Sequence, residues 1–276
     1  MIATTGLRGC LICRVPKRVM RLATIAGLAS AAGCASDRAT ERYAMVTTMT
    51  ADVAHTPLLA RDPVFNAALA TIAGLPRERF APKAAASVAY LGTPLNIGWD
   101  QTISDPYIMA VMTAAARVRA GANVLEIGTG SGYQAAILAK LGARVSTIEI
   151  VPQLARRAAT VLASLRIRGV TIRTGDGFAG WPDRAPFDAV IVTAGAAEVP
   201  KPLLAQLRIG GRLVMPIGVS QVTEQIMVYE RRTDGSFAIC NLGWAMFVPL
   251  TGQGQTAERA GLRDRSHPFC YGMSVT

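Results

Sequence analysis

Acidic and aromatic side chains are both scarce in this chain of 276 residues. Aspartate and glutamate number 18 against 29 lysines and arginines, and aromatics make up 6%. The formal charge of +11 invites a nucleic-acid reading, but its distribution argues against one. Five of those charges sit on Arg8, Arg14, Lys17, Arg18 and Arg21, ahead of residue 34 and with no acid among them, which leaves +6 for the rest. The other basic residues are scattered, with few aromatics between them to stack bases, so no nucleic-acid partner is indicated. Cysteine is sparse as well: five, three of them before residue 35, do not make a disulfide framework in a chain of this length. Cys10 and Cys13 form a lone C-x-x-C without a second pair or a nearby histidine, so no metal site is implied. Cys240 reads as a small apolar residue in a strand. No internal repeat is visible. What is abundant is apolar content, 51% against 17% charge, which places the chain among globular proteins with a sizeable core.

The amino-terminal segment has its own logic. Arg14, Lys17, Arg18 and Arg21 precede an apolar, small-residue run from Leu22 to Ala32, and Ala31-Ala32-Gly33-Cys34 follows. That layout is signal-like, and the small-small-Cys ending resembles a lipoprotein processing site, with Ala31 where leucine is usual. The run is too short to cross a bilayer as a helix. The opposing reading of residues 1–34 is a disordered extension or a misplaced start, with Met45 or Met49 as alternatives.

Residues 35–60 show no sustained period and read as a linker. From Pro63 a helical pattern begins, with Val64, Ala68 and Ile72 at fourfold spacing and a stop at Gly74. An irregular stretch runs to Gln101. Ser104-Asp105-Pro106 opens the next helix, with Ser104 as its cap and Ile108, Val111, Met112 and Ala115 on one face. Strands and helices then alternate. Residues 144–150, 170–174, 187–193 and 211–217 are strand candidates, and Pro152 starts a helix with a stripe at Leu154, Ala158, Val161, Leu162 and Leu165. Residues 224–232 and 236–249 form a closing pair that includes an antiparallel strand. The tail from 253 to 276 reads as loosely ordered. This alternation predicts a doubly wound α/β sheet of Rossmann-like type, helices on both faces, over residues 61–252.

One segment carries the chemistry. In VLEIGTGSGY, residues 124–133, an apolar run reaches Glu126 and then Gly128, Gly130 and Gly132 alternate ahead of a helix. Each glycine admits a positive φ or a ligand close to the backbone, and a strand-to-helix turn in such a sheet is where nucleotide-like cofactors dock. The spacing is one residue tighter than the dinucleotide fingerprint, leaving no third glycine for a pyrophosphate. It resembles the first motif of S-adenosylmethionine (SAM) methyltransferases, whose loop includes Thr129. Glu149 closes the second strand, where a carboxylate can accept both ribose hydroxyls. Asp176, before Gly177, follows the third strand and can accept from an adenine amino group. The bland alternatives are a solvated charge at Glu149 and an Asp-Gly turn at 176–177.

Beyond those motifs, residues 63–252 resemble the protein-L-isoaspartate O-methyltransferase family. The resemblance covers LPRERFAP (75–82), PLNIGWDQTIS (94–104), GDGFAGWP (175–182), APFDAVIVTAGAAEVP (185–200), GGRLVMPIG (210–218) and FVPLTG (247–252). It implies that Thr102, Ile103 and Ser104 face the substrate, with Ser104 the catalytic residue. It implies transfer of a methyl group from SAM to the α-carboxylate of an L-isoaspartyl residue in damaged proteins or peptides. A carboxylate is already ionised at neutral pH, and the matched stretch holds no histidine, His55 and His267 lying outside it. Trp99 and Asp100 depart from the family pattern and set an extra carboxylate near an anionic substrate. The expectation is a monomer in the cytoplasm, where SAM is made, with membrane contact only if Cys34 is lipidated. Two rivals are another SAM methyltransferase and a secreted or lipid-anchored binding protein on an inactive copy of the fold.

Overall fold

The computed structural model describes residues 32–219, 223–254 and 267–271. The chain divides into two units, Met1–Arg38 and Ala39–Thr276. Of the first, only the start of a helix falls within the described residues, so the signal-like run and Cys10 and Cys13 lie outside them.

The predicted linker is helical. Helix α1 covers Ala32–Asp52, a 3-10 turn follows at Val53–His55, and α2 is Pro57–Ala60. Met45, Met49 and Val53, one residue per turn, are buried, as is Leu59. The stripe is too narrow to register as a period, because the positions between are mostly polar. Thr47, Thr48 and Thr50 instead turn their hydroxyls back to carbonyls four residues earlier.

Helix α3, Pro63–Gly74, begins as the sequence suggests: Asp62 accepts from the N–H groups of Val64 and Phe65, and proline takes the first helical position. The stretch read as irregular contains a hairpin of β1, Leu95–Gly98, and β2, Gln101–Ile103. Its two-residue tip is Trp99–Asp100, each with φ +54°. Such tips usually announce themselves by Asn-Gly; this one does not. Helix α4, Pro106–Ala115, is capped one residue later than predicted, by Asp105, which accepts from Tyr107 N–H at 2.7 Å. Proline forces the residue before it out of the helical region, so Asp105, at φ −51°, ψ 129°, takes the cap and Ser104 is released from it.

The central sheet is then laid down by β3 (Asn123–Ile127), α5 (Tyr133–Lys140), β4 (Arg144–Glu149), α6 (Pro152–Ser164), β5 (Val170–Thr174), β6 (Phe187–Val192), α7 (Lys201–Ala205), β7 (Leu207–Val219), β8 (Thr223–Arg231) and β9 (Phe237–Ala245). Strand order is β5-β4-β3-β6-β7-β8-β9; the first five are parallel, and β8 and β9 close it antiparallel. Successive residues of the central strands feed opposite faces. Val124, Ala189 and Ile191 join the core that includes α3 to α6, while Leu125, Val190 and Val192 join a second core with Leu203 of α7. Strand order reverses at β3, so a crevice opens beyond its carboxyl end.

Two further readings are corrected at the carboxyl terminus. Cys240 is not merely a small apolar residue: it is disulfide-bonded to Cys270, with Cα atoms 5.1 Å apart. Within the predicted loose tail, residues 267–271 lie along β9. Asn241 N–H donates to Pro268 O at 3.0 Å, Cys270 N–H to Asn241 O at 2.9 Å, and Asn241 Nδ2 to His267 O at 2.8 Å. Only three-dimensional proximity reveals such a pair, since a separation of 30 residues carries no signature.

Candidate active site

The turn from β3 into α5 holds Gly128, Gly130 and Gly132 at φ +93°, +52° and +86°. A Cβ on Gly128 would lie 2.5 Å from Thr193 Oγ1, and one on Gly132 would lie 3.2 Å from Ala158 Cβ. Glycine is therefore demanded by both conformation and space. Thr129 is buried and shares a hydrogen bond with Thr147, Oγ1 to Oγ1 2.6 Å, so its side chain braces the loop from beneath. Gly177 packs on the end of β3, where an added Cβ would clash with Ile127 Cγ2.

Three carboxylates surround this turn. Glu149 accepts from Gly130 N–H at 2.7 Å and from Val151 N–H at 3.0 Å. Burial pushes its pKa up, and those N–H groups oppose the shift. Glu126 is fully buried; neither of its oxygens has a partner at good hydrogen-bond geometry among the described residues, while the Thr147 hydroxyl and the Ala135 N–H stand close enough to pull its pKa down. Desolvation, the largest cause, pushes its pKa up to about 8. A protonated carboxyl group is the form that burial favours there, because a buried charge without a partner is costly. Asp176 accepts from Phe178 N–H and from Gln253 N–H, both at 2.8 Å, so it ties the third strand's turn to the segment after Leu250.

The β1–β2 hairpin brings the second group of residues to the glycine turn: a Cβ on Gly130 would stand 3.6 Å from Ile97 Cδ1 and 4.0 Å from Thr102 O. Beside it lies a cavity of about 250 Å³, lined by Pro94, Thr102, Ser104, Asp105, Ile108, Thr193 and residues 244–248. Ser104 is half-buried, and its hydroxyl makes no hydrogen bond to another described residue. Ile103 does not share that wall; its side chain is buried in the core. Asp100 and Trp99 are exposed at the hairpin tip and do not line the cavity; the carboxylate on its wall is that of Asp105.

Sequence reasoning missed Asp105, Thr193 and the lip of Trp244 and Met246. Thr193 spans the two groups of residues, its hydroxyl 2.8 Å from Gly128 O and 3.1 Å from Ile127 O. Met246 is 74% exposed, unusual for a large apolar side chain beside a cavity. The signal that would have found Asp105 is Pro106.

A glycine loop with left-handed backbone at the carboxyl end of a central parallel strand, flanked by carboxylates on the first two strands, defines the class: a Rossmann-like SAM methyltransferase. The family model for protein-L-isoaspartate(D-aspartate) O-methyltransferase matches residues 49–255, which takes in His55. A Gloeobacter violaceus protein-L-isoaspartate O-methyltransferase is 51% identical over 186 residues, covering 67% of this chain and 90% of that one. One from Opitutus terrae is 48% identical over 194 residues, covering 70% and 83%. Among solved structures, a protein-L-isoaspartate O-methyltransferase aligns with TM-score 0.63 and 25% identity over 72% of this chain, which spans 66% of that chain's length. A Plasmodium falciparum beta-aspartate methyltransferase (PCMT) in complex with S-adenosyl-L-homocysteine shares the fold, with TM-score 0.61 and 21% identity over 74% of this chain and 97% of that one. The chain belongs to the protein-L-isoaspartate(D-aspartate) O-methyltransferase family.

Proposed function

We propose that this enzyme methylates the α-carboxylate of L-isoaspartyl residues in damaged proteins and peptides, with SAM as donor, and so starts their repair. The observation that carries the reading is the approach of the Thr102 backbone to Gly130, which sets the cavity lined by Thr102 and Ser104 beside the glycine loop. Glu126, Gly128, Thr129, Gly130, Gly132 and Glu149 hold the cofactor, with Asp176 and Gly177 at its adenine end. When bound, SAM supplies an electrophilic methyl group on a sulfonium.

The chain's own work is orientation. The substrate carboxylate is ionised at neutral pH, so no proton has to be removed. The cavity lining offers hydroxyls at Thr102, Ser104 and Thr193 and no basic side chain; its one acid, Asp105, accepts from the Tyr107 N–H at the start of α4. Neutral donors suit a nucleophile whose charge diminishes in the transition state; a cation would grip the ground state harder. Ser104 fixes the carboxylate in line with its target, and Ile108, Phe247 and Val248 keep water from it. The test is incubation with labelled SAM and paired isoaspartyl and aspartyl peptides. Label in the isoaspartyl peptide alone is expected; label in neither, or in both equally, overturns the reading.

Among the described residues no helix is long and apolar enough to cross a membrane. We place the enzyme in the cytoplasm on the supply of its cofactor, and propose that it is a monomer. A second reading, export through residues 14–34, is favoured by the Cys240–Cys270 bond, because such bonds persist in oxidising compartments. Cell fractionation with mass spectrometry of the mature amino terminus separates the two, a lipid on Cys34 marking export.

A further inference from the structure

Arg77 is the largest fully buried side chain among the described residues, and nothing in the transfer chemistry above uses it. It sits on a 3-10 turn, Arg77–Arg79, far in sequence from everything it holds. One terminal nitrogen donates to Ala89 O at 2.6 Å; the other donates to Thr93 O at 2.9 Å and to Ser104 O at 3.1 Å. The guanidinium also stands over the ring of Tyr133, 5.9 Å from its centre, and Tyr133 directly follows the last glycine of the turn. One side chain thus touches both groups of residues.

A buried cation whose two terminal nitrogens bond to carbonyl oxygens, and whose Nε has no partner among the described residues, is an expensive way to fill space. Burial pulls its pKa down, with Tyr133 and Asp105 the leading opposing influences. An apolar side chain would fill the volume at lower cost, so the fork earns its place by what it fixes. Thr93 precedes Pro94, a wall of the cavity, and Ser104 is the hydroxyl residue. The peptide carbonyl of Ser104 is held by Arg77 while the next residue, Asp105, is held by the start of α4. Between those two anchors the direction of the Ser104 side chain is set.

We infer that Arg77 is a positioning residue for methyl transfer: its guanidinium pins the Ser104 and Thr93 carbonyls and thereby aims the Ser104 hydroxyl into the substrate cavity. This rests on the role given to Ser104, and the experiment keeps the two apart. Turnover of an isoaspartyl peptide, its KM, affinity for S-adenosylhomocysteine and Tm are measured for the native chain, Arg77→Lys, Ser104→Ala and the double variant. Lysine keeps the charge but loses the planar two-nitrogen fork. Arg77→Lys should lower kcat about tenfold, as expected for a displaced catalytic group, with S-adenosylhomocysteine affinity within about twofold. In the Ser104→Ala background the same change should cost less than about twofold, because the hydroxyl it aims is gone. Equal losses in both backgrounds, or a folded Arg77→Lys protein with native kcat, overturn the inference. Full activity in Ser104→Ala alone overturns the role of Ser104 instead. Should Arg77→Lys not fold, Arg77→Gln is compared in the same two backgrounds; if that also fails to fold, the residue serves the fold alone and the inference falls.

Discussion

The proposed cofactor side and the proposed substrate side of the cleft are built by different means. Around the glycine loop the groups assigned to the cofactor in our proposal come from ten consecutive residues and the ends of two adjacent parallel strands, and backbone hydrogen bonds hold them: Gly128 and Thr129 N–H both donate to Ile148 O. The cavity proposed for the substrate instead collects residues 94, 102, 104, 105, 108, 193 and 244–248, and side chains such as Arg77, Asp105 and Thr193 hold it together. A loop defined by its backbone tolerates almost no substitution at its glycines. A cavity defined by side chains from scattered segments can be retuned one residue at a time.

The harshest break falls on the backbone-defined side. Gly128→Ala puts a Cβ against Thr193 at φ +93°, and affinity for S-adenosylhomocysteine should drop about 100-fold in calorimetry. Ser104→Ala should lower kcat about tenfold through loss of a hydrogen bond to a charged group. Its cofactor affinity and Tm should stay near native, because Asp105 carries the helix cap. A Tm loss of several degrees would return the cap to Ser104.

The buried carboxylates sharpen the comparison through pH. Glu126 holds its proton in the folded chain until about pH 8, well above its ordinary value. Between that ordinary value and about pH 8 folding takes up a proton, so stability falls as pH rises through the window and levels off above it. Thermal melts from pH 5 to 9 should show that fall, and Glu126→Gln should flatten it; the smaller upward shift at Glu149 leaves part of the slope. The mildest effect is expected at the lip: Met246→Ala should raise peptide KM about threefold, from lost apolar contact, and leave cofactor affinity unchanged.

The same contrast decides what could be read from the sequence. Val124 to Tyr133, Glu149 and Pro152 lie in order along one βαβ unit, so local spacing reproduces their spatial relation. Helix α1 was illegible because Met45, Met49 and Val53 bury a single residue per turn. The hairpin at Trp99 and Asp100 was illegible because neither residue advertises a positive φ. Ser104 and Asp105 are both good cap residues; the choice between them lay in Pro106. Thr193, Trp244 and Met246 had no signal of their own, since only packing brings them to residue 104.

The bond from Cys240 to Cys270 makes the last strand and the end of the chain a closed covalent ring. A protease that cuts one peptide bond within that ring would leave a protein of unchanged mass apart from one added water, still moving as a single band. Only a thiol would part the pieces, so a nick there stays invisible until the sample is reduced.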